Sequence, residues 1–399
     1  MKIVKAKDGI SYLIPFLLVT SLFFLWGFAH SILDVLNKHF QEILVISKAR
    51  SGLVQAVVYG GYFLMALPAG YFIKKFGYRK GVVLGLILYA LGAFLFIPGG
   101  HINSFNFFLL NLFIIGCGLT FLETAANPYV TILGDEKYSA SRINFAQSFN
   151  GLGWILGPLV GGIIVFDGGD ISFPYMIIGI VVTVAALIFM RIPLPELKNN
   201  DTLKIQNYSG LWKSTTFTFG VVALFFYVAA QTGINSFFIN YITESSLQID
   251  NKTASILLSI GGMGLFMVGR FLGSWAMKYI APERFLIYYS LGAALCMLLV
   301  VIPLGWISIS SLFICYFFES IMFPTIFALS LKGLNEQQTK KGSSYLIMSI
   351  VGGAIAPVLM GIIGEEKMAT GFIVPLLCFV VILVYSIYLG KIKNKTIQL

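Results

Sequence analysis

The feature that most constrains this chain is a series of twelve long apolar runs. Each run holds about 20 mostly apolar residues, the length that an α-helix needs to cross the hydrocarbon core of a bilayer. Only 11% of the 399 residues are charged, whereas soluble domains carry about 25%. The sequence therefore predicts an all-α membrane protein with twelve transmembrane helices. The predicted spans, numbered 1 to 12, are 12–36, 52–73, 80–98, 105–133, 143–166, 172–191, 214–243, 253–279, 285–304, 307–333, 343–363 and 370–390.

The longest interruption divides the twelve spans into two sets of six. It contains the polar segment PLPELKNNDTLK. We predict an N-terminal six-helix bundle over 1–191, a cytoplasmic linker over 192–213 and a C-terminal six-helix bundle over 214–399. Span 1 continues well past the short apolar core of a signal peptide, and no small-residue cleavage site follows it, so we expect it to be retained.

The distribution of lysine and arginine predicts the orientation. With the N-terminus inside, 21 of the 27 basic residues fall in cytoplasmic segments and five in outer segments, while Arg270 lies within a span. Loops rich in Lys and Arg stay in the cytoplasm, so both termini and the linker are predicted to be cytoplasmic. This asymmetry explains the net charge of +10 without a nucleic-acid partner. The four cysteines all lie in apolar runs, where they indicate packing rather than a disulfide or zinc site.

The two halves of the chain repeat each other. GYFL in span 2 recurs as GLFM in span 8, and GLGWILGPLVGG in span 5 matches IVGGAIAPVLMG in span 11. A glutamate that precedes a proline by five residues occurs at Glu123 in span 4 and at Glu319 in span 10. Because all three matches lie six spans apart, they predict a parallel duplication into two six-helix bundles. That is the architecture of major facilitator transporters.

Ionisable residues within spans are costly in a membrane and therefore mark functional sites. The strongest candidates are Asp34, Glu123, Arg270 and Glu319, and His30 adds a titratable imidazole. His30 and Asp34 are four residues apart, so they share one face of span 1. The pair can hold or pass a proton, and the alternative is a fixed structural hydrogen bond.

Glu123 lies in the segment LETAANPY. Pro128 cannot donate a hydrogen bond to the carbonyl of Thr124, so we expect the helix to open beside the carboxylate. Asn127 lies one turn further along. A loosened backbone, an amide and a carboxylate together suit a polar ligand, and the alternative is a buried carboxylate that bonds an amide of another helix.

Glu319 repeats this arrangement, since Pro324 frees the carbonyl of Ser320. The same two interpretations apply to Glu319. Arg270 lies towards the cytoplasmic end of span 8, from where its long side chain can reach the surface. We expect Arg270 to form a loop or interdomain ion pair rather than to bind substrate.

Two pairs of amides at helical spacing indicate a ligand rich in hydroxyl groups. Gln147 and Asn150 lie three residues apart on span 5, and Gln231 and Asn235 lie four apart on span 7. Amides both donate and accept hydrogen bonds, which matches the hydroxyls of a sugar. Nearby aromatic rings can stack on a pyranose face, although packing is the stronger explanation for most of them. These rings are Trp26, Trp154, Phe237 and Phe238.

Several segments together resemble one family of transporters. They are SLFFLWGFAHSILD, PAGYFIKKFGYRKGVVLGLILYALGA, LETAANPYVTILG, RINFAQSFNGLG, AAQTG, FPTIFAL and GSSYLIMSIVGG. Over nearly its whole length the chain resembles the fucose–galactose–glucose–proton symporter family of the major facilitator superfamily, and especially its bacterial L-fucose–proton symporters. The resemblance implies that Asp34 and Glu123 act in proton coupling and sugar recognition, and that Gln147 and Asn150 face a central cavity.

The resemblance leaves the sugar open. Fucose symporters have tryptophan where this chain has Asn235, no carboxylate where it has Glu319, and asparagines where His30, Ser31 and Leu33 stand. Glycine-rich GPLVGG in span 5 resembles an exporter motif, so a drug or metabolite antiporter is a further alternative. No metal cluster, nucleotide-binding loop or nucleophile motif indicates an enzyme.

The sequence thus predicts a monomeric, multi-pass sugar transporter of the bacterial inner membrane that imports a monosaccharide by proton symport. A sodium-coupled sugar symporter and a uniporter are the nearest alternatives. The predicted partners are a sugar and the lipid bilayer, with no cofactor and H⁺ or Na⁺ as the coupling ion. The predicted proton-coupling residues are His30, Asp34 and Glu123, and the predicted substrate-binding residues are Glu123, Asn127, Gln147, Asn150, Gln231, Asn235 and Glu319.

Overall fold

A computed structural model of the protein shows twelve long apolar helices within the part of the chain that it describes. That part comprises residues 12–102, 104–134, 139–167, 170–192, 211–245, 247–277, 279–334 and 336–397, and it contains no strand. The twelve helices long and apolar enough to span a bilayer are Leu13–Ile43, Lys48–Phe76, Tyr78–Gly100, Phe105–Val130, Phe145–Phe166, Ser172–Arg191, Thr215–Thr243, Asn251–Ala276, Pro282–Val301, Trp306–Leu331, Gly342–Ile363 and Met368–Lys391. The predicted all-α membrane fold with twelve spans is confirmed.

Six of these spans contain a change of helical geometry or a short break. Span 2 consists of Lys48–Ser51 and Leu53–Phe76, span 3 of Tyr78–Phe94 and Phe96–Ile102, and span 12 of Met368–Gly371 and Ile373–Ile397. Span 8 passes from Asn251–Ile256 through a π-helical turn, Leu257–Met263, to Gly264–Ala276. Span 10 is divided into Trp306–Glu319 and Met322–Leu331, and span 11 into Glu336–Met348, a 3₁₀ turn at Ser349–Val351 and Gly352–Ile363.

Span 1 is longer than predicted. The sequence predicts its end near residue 36, but the helix continues to Ile43. Lys38 and Glu42 form an ion pair of 3.2 Å at i,i+4 spacing, which stabilises the added turns. Lys38 therefore belongs to the end of a helix rather than to an outer loop.

The chain divides into two compact units. One unit consists of Met1–Leu44 and Val57–Leu203, and the other of Val45–Ala56 and Lys204–Leu399. The boundary between residues 203 and 204 falls in the predicted linker 192–213, of which 193–210 lie outside the described residues. Segment Val45–Ala56 departs from the predicted domains, because the sequence places it in the N-terminal bundle.

Ionic and backbone contacts hold the Val45–Ala56 segment in the second unit. Lys48 Nζ lies 2.6 Å from a carboxylate oxygen of Glu244 and donates to the carbonyls of Gly364 and Glu365. The carboxylate of Glu365 accepts from the backbone N–H groups of Lys48 and Ala49, at 3.2 Å each. These charge-assisted bonds satisfy backbone groups at the ends of two helices.

Helix pairing within the first unit recurs within the second. In the first unit, span 1 packs against span 5, and span 3 packs against spans 4 and 6. In the second unit, span 7 packs against span 11, and span 9 packs against spans 10 and 12. Every pairing shifts by six spans, which agrees with the duplication predicted from the motifs.

Apolar side chains cover much of the outer surface of both units. Leu67, Phe271 and Trp275 are each more than half exposed. In a water-soluble protein such side chains would form an unfavourable surface. In a membrane protein they contact the lipid, whose acyl chains are as apolar as the side chains.

Glycines let spans 1 and 5 cross at close range. A Cβ atom on Gly153 would stand 2.5 Å from the carbonyl oxygen of Phe24 and 2.6 Å from the nitrogen of Phe28. At the same crossing the Ser31 hydroxyl donates to the Gly153 carbonyl at 3.1 Å. The approach fixes the position of the adjacent Trp154.

We expect Gly153→Ala to lower the melting temperature of the purified protein. The added methyl group forces the two backbones apart, an overpacking that costs about 1–3 kcal/mol. Gly70→Ala is the matched control, because a Cβ on Gly70 meets no atom within 4 Å. Equal melting temperatures for the two variants would contradict the close crossing.

Candidate substrate and proton site

Aromatic rings surround His30 in the first unit. Its ring lies 5.6 Å from that of Tyr59 and 5.3 Å from that of Tyr62, and it stacks on Trp154 at 6.1 Å with an interplanar angle of 10°. The histidine is 8% exposed. Trp154 reaches it because Gly153 brings span 5 against span 1. The sequence predicts both residues as candidates, and the structure places them together.

Tyr62 connects His30 to Glu123. The Tyr62 hydroxyl lies 3.1 Å from His30 Nε2, and it also lies within hydrogen-bonding reach of the Glu123 carboxylate. Spans 1, 2 and 4 therefore each contribute one side chain to a continuous polar line. Nothing in the sequence singles out Tyr62, although it stands in the GYFL motif that recurs in span 8.

Asp34 and Asn127 each lie one helical turn from this line. Asp34 is 1% exposed and four residues beyond His30 on span 1. Asn127 is half-buried and four residues beyond Glu123 on span 4. Its Oδ1 atom has no hydrogen-bond partner within the described residues. A buried acceptor without a partner is costly, so a donor on a ligand would satisfy it.

Span 4 does not open at its proline. The sequence predicts a loosened helix beside Glu123, but Phe105–Ile132 is one helix with Pro128 inside it. A proline removes a single backbone bond, and spanning helices often tolerate that loss because neighbouring groups satisfy the freed carbonyl. The expected break beside Glu123 is therefore corrected to a continuous helix.

The two amides of span 5 differ in their surroundings. Asn150 donates from Nδ2 to the carbonyl of Phe23 at 3.2 Å and lies against Gly27, where a Cβ atom would collide with it. Asn150 therefore helps to hold the crossing of spans 1 and 5. Gln147, three residues earlier, is half-buried.

A second polar cluster lies in the second unit. Asn235 on span 7 is 2% exposed, and its Oδ1 accepts a hydrogen bond from the Tyr316 hydroxyl at 2.9 Å. Gln231 lies one turn earlier on the same helix and is half-buried. Tyr316 belongs to span 10 and lies against Gly262 in the π-helical turn of span 8. Such turns are frequent at functional sites.

Glu319 lies one turn beyond Tyr316, at the point where span 10 breaks. It is fully buried, and neither of its carboxylate oxygens has a hydrogen-bond partner within the described residues. Burial of an ionised carboxylate without a partner costs several kcal/mol. Glu319 must therefore bind either a proton or a ligand group that donates hydrogen bonds.

Arg270 satisfies the backbone at this break. Its Nε donates to the Ser320 carbonyl at 3.2 Å, and its guanidinium lies 4.7 Å from the centre of the Phe266 ring. The sequence predicts that Pro324 frees this carbonyl, and the helix does end at Glu319 and resume at Met322. The expectation of a loop ion pair for Arg270 is corrected, because its partners are a carbonyl and a ring.

We expect Arg270→Met to destabilise the protein by about 1–3 kcal/mol, since it leaves the buried Ser320 carbonyl without a donor. The melting temperature should fall, and Arg270→Lys should restore part of it because lysine keeps a charged donor. Arg284→Met is the control at another arginine of the same unit. A melting temperature unchanged in Arg270→Met would show that the bond contributes nothing.

The polar clusters do not amount to a metal centre. Within the described residues, no group of three or more His, Cys, Asp or Glu side chains could hold a metal ion. Cys117, Cys296, Cys315 and Cys378 are buried and form no disulfide among the described residues. The two clusters instead offer amides, hydroxyls and carboxylates, which bind neutral polar molecules and protons.

Comparison with known proteins decides the family. Residues 16–357 match the model of the Major Facilitator Superfamily. The chain is 36% identical to the L-fucose-proton symporter of Escherichia coli (strain K12), with 96% of this chain and 94% of the symporter covered. The chain belongs to the fucose–galactose–glucose–proton symporter family. It is also 34% identical to the glucose/galactose transporter of Brucella abortus (strain 2308), with 94% of this chain and 93% of the relative covered.

Solved structures agree with this assignment to the symporter family. A crystal structure of the E. coli fucose:proton symporter matches with a TM-score of 0.70 and 36% identity, and covers 95% of this chain and 99% of the other. The D-xylose-proton symporter matches with a TM-score of 0.77 at 16% identity, covering 95% and 97%, which shows a shared fold. These relatives and structural neighbours are transporters rather than enzymes.

Proposed function

We propose that this symporter-family chain imports a monosaccharide together with protons by alternating access. The observation that carries the proposal is the polar line His30–Tyr62–Glu123, which brings two titratable groups together among spans 1, 2 and 4. Ionisable groups within spans mark substrate and proton pathways. Two relatives that align over nearly the whole chain are named for L-fucose–proton symport and glucose/galactose transport.

The substrate class is a hexose or related sugar. Asn127 offers a buried acceptor that has no partner among the described residues, and Gln147 and Gln231 are half-buried amides on spans 5 and 7. Sugars present many hydroxyls that both donate and accept hydrogen bonds, as amides do. Trp154 adds an aromatic face beside His30, of the kind on which a pyranose ring stacks.

The coupling ion is H⁺, and Na⁺ is the alternative. Imidazole and carboxylate groups exchange protons in the physiological range when their surroundings tune them. His30, Asp34 and Glu123 carry an imidazole and two carboxylates, and all three lie in the first unit. We assign proton coupling to these three residues, with Glu123 also contacting the sugar.

The protein acts as a monomer in the bacterial inner membrane, with both termini in the cytoplasm. The placement of 21 of the 27 basic residues in the segments assigned to the cytoplasm supports this orientation. The exposed apolar side chains of spans 2 and 8 provide the surface that contacts lipid.

Uptake into proteoliposomes tests the proposal. The vesicles contain the purified full chain and receive labelled L-fucose, galactose or glucose under an inward proton gradient, an inward sodium gradient or no gradient. We expect at least one sugar to be concentrated only under the proton gradient. Concentration under sodium alone would indicate a sodium symporter, mere equilibration a uniporter, and gradient-driven efflux an exporter.

We expect Glu123→Gln to abolish gradient-driven accumulation while it preserves exchange of sugar across the membrane. Glutamine keeps the shape and hydrogen bonding of the side chain but cannot carry a proton. Counterflow of labelled sugar in preloaded vesicles measures the exchange. Accumulation of sugar by Glu123→Gln against its gradient would show that another residue couples protons.

Glu319 contributes to the choice of sugar. Its two oxygens are buried and lack partners within the described residues, so sugar hydroxyls could donate to both. It lies one turn beyond Tyr316, whose hydroxyl is already bonded to Asn235, at the last residue of the first helical segment of span 10. The alternative is a structural carboxyl group that remains protonated and binds no sugar.

We expect Glu319→Gln to weaken or alter sugar preference while it retains proton-coupled uptake of some sugar. A hydrogen bond to a charged group contributes about 1.5–3 kcal/mol, which corresponds to roughly 10- to 150-fold in affinity. Glu283→Gln is the control, because that buried carboxylate is paired with Lys332 at 2.9 Å. Lower thermal stability with unchanged sugar affinity in Glu319→Gln would favour the structural alternative.

A further inference from the structure

Tyr62 occupies the middle of the polar line and has hydrogen-bonding groups on both sides. Its hydroxyl lies 3.1 Å from His30 Nε2 and within hydrogen-bonding reach of the Glu123 carboxylate. The side chain is 9% exposed. A hydroxyl donates one hydrogen bond and accepts others, so Tyr62 can donate to only one of the two neighbours at a time. The hydrogen bonds along the polar line can therefore run in either of two directions, from His30 towards Glu123 or from Glu123 towards His30.

We propose that the Tyr62 hydroxyl passes protons between His30 and Glu123. This inference rests on the proton symport proposed above and adds one residue, Tyr62, to the coupling site. The phenylalanine that would fill the same space lacks the one atom that bridges the two titratable groups. Tyr62 is thus a positioning and relay residue for coupling.

The two states differ by one proton. In the first state His30 carries its hydrogen on Nε2 and donates to the Tyr62 oxygen, and Tyr62 donates to ionised Glu123. A proton that arrives at His30 Nδ1 lets the Nε2 hydrogen move to Tyr62 and the Tyr62 hydrogen move to Glu123. The second state has neutral His30 with hydrogen on Nδ1, Tyr62 donating to Nε2, and protonated Glu123 donating to Tyr62.

His30 Nδ1 is the atom at which this scheme begins. It is buried, and it has no hydrogen-bond partner within the described residues. An imidazole whose second nitrogen is bonded to a fixed protein group cannot exchange its tautomer without breaking that bond. His30 is not held in this way, so either nitrogen can carry the hydrogen as the relay requires.

Titratable groups beside Tyr62 and its neighbour His30 come from four spans. They lie on span 1, on span 2, on span 3 and on span 4. Asp34 is the further carboxylate on the histidine helix and can supply or receive the proton at the start of the line. The groups are His30, Asp34, Tyr59, Tyr89 and Glu123.

Tyr62→Phe tests the relay, with Tyr71→Phe as the control, because Tyr71 lies on the same span and is 68% exposed. We expect Tyr62→Phe to slow proton-driven sugar uptake by about 100-fold, the lower limit for a positioned proton-transfer group. Counterflow, which needs no net proton movement, should persist. The control should retain both activities. Normal proton-driven uptake by Tyr62→Phe would overturn the proposal.

A fluorinated tyrosine at position 62 provides a second readout in which the ring and the hydroxyl both remain. Fluorine makes the phenol more acidic, so the pH dependence of proton-driven uptake should shift when position 62 is substituted and stay unchanged when position 71 is. This variant decides the question if Tyr62→Phe does not fold. An unshifted profile at position 62 would overturn the relay.

Sugar uptake by the wild-type protein distinguishes failure of the relay proposal from failure of the proposed function. If wild-type vesicles fail to concentrate any sugar under a proton gradient, the symport proposal itself is wrong, and the relay is wrong with it. If wild-type vesicles do concentrate sugar and the position-62 variants behave as wild type, only the relay is wrong.

Discussion

Every polar group within the hydrocarbon core must find its partner inside the protein, because lipid offers none. This constraint determines which polar groups are available to bind a proton or a sugar. The Ser320 carbonyl at the break in span 10 receives a bond from Arg270, and Asn150 bonds a carbonyl of span 1. Such groups are structurally satisfied. The groups that remain unsatisfied within the described part of the chain, above all Glu319 and one nitrogen of His30, are those at which a proton or a sugar would be stabilised.

The duplicated fold places related carboxylates in different surroundings. Glu123 and Glu319 occupy equivalent positions six spans apart, five residues before a proline in each case. Glu123 lies on a continuous helix within reach of Tyr62, whereas Glu319 ends a helical segment and has no partner within the described residues. A carboxylate that is linked to a histidine is suited to proton exchange, and an isolated one is suited to bind hydroxyls. The repeat therefore provides two similar positions that can serve separate roles.

The sequence predicts the fold well because span length and hydropathy are local properties. The twelve spans, the repetition of the first six spans in the second six, and the candidate residues His30, Glu123 and Glu319 follow from them. Tyr62, the Arg270 bond and the position of Val45–Ala56 in the second unit could not be predicted, since each depends on which side chains of distant helices meet. The continuous helix at Pro128 shows the same limit. A proline predicts a missing bond, but the surrounding packing decides whether the helix breaks.

The central claim is that sugar and protons move together, and proton movement driven by sugar tests it most directly. Proteoliposomes in weakly buffered medium, with no imposed gradient, receive each candidate sugar while a pH electrode records the medium. We expect the transported sugar to make the medium more alkaline as protons enter with it, and a protonophore to abolish the change. Entry of labelled sugar into the same vesicles with no change in external pH would contradict proton symport.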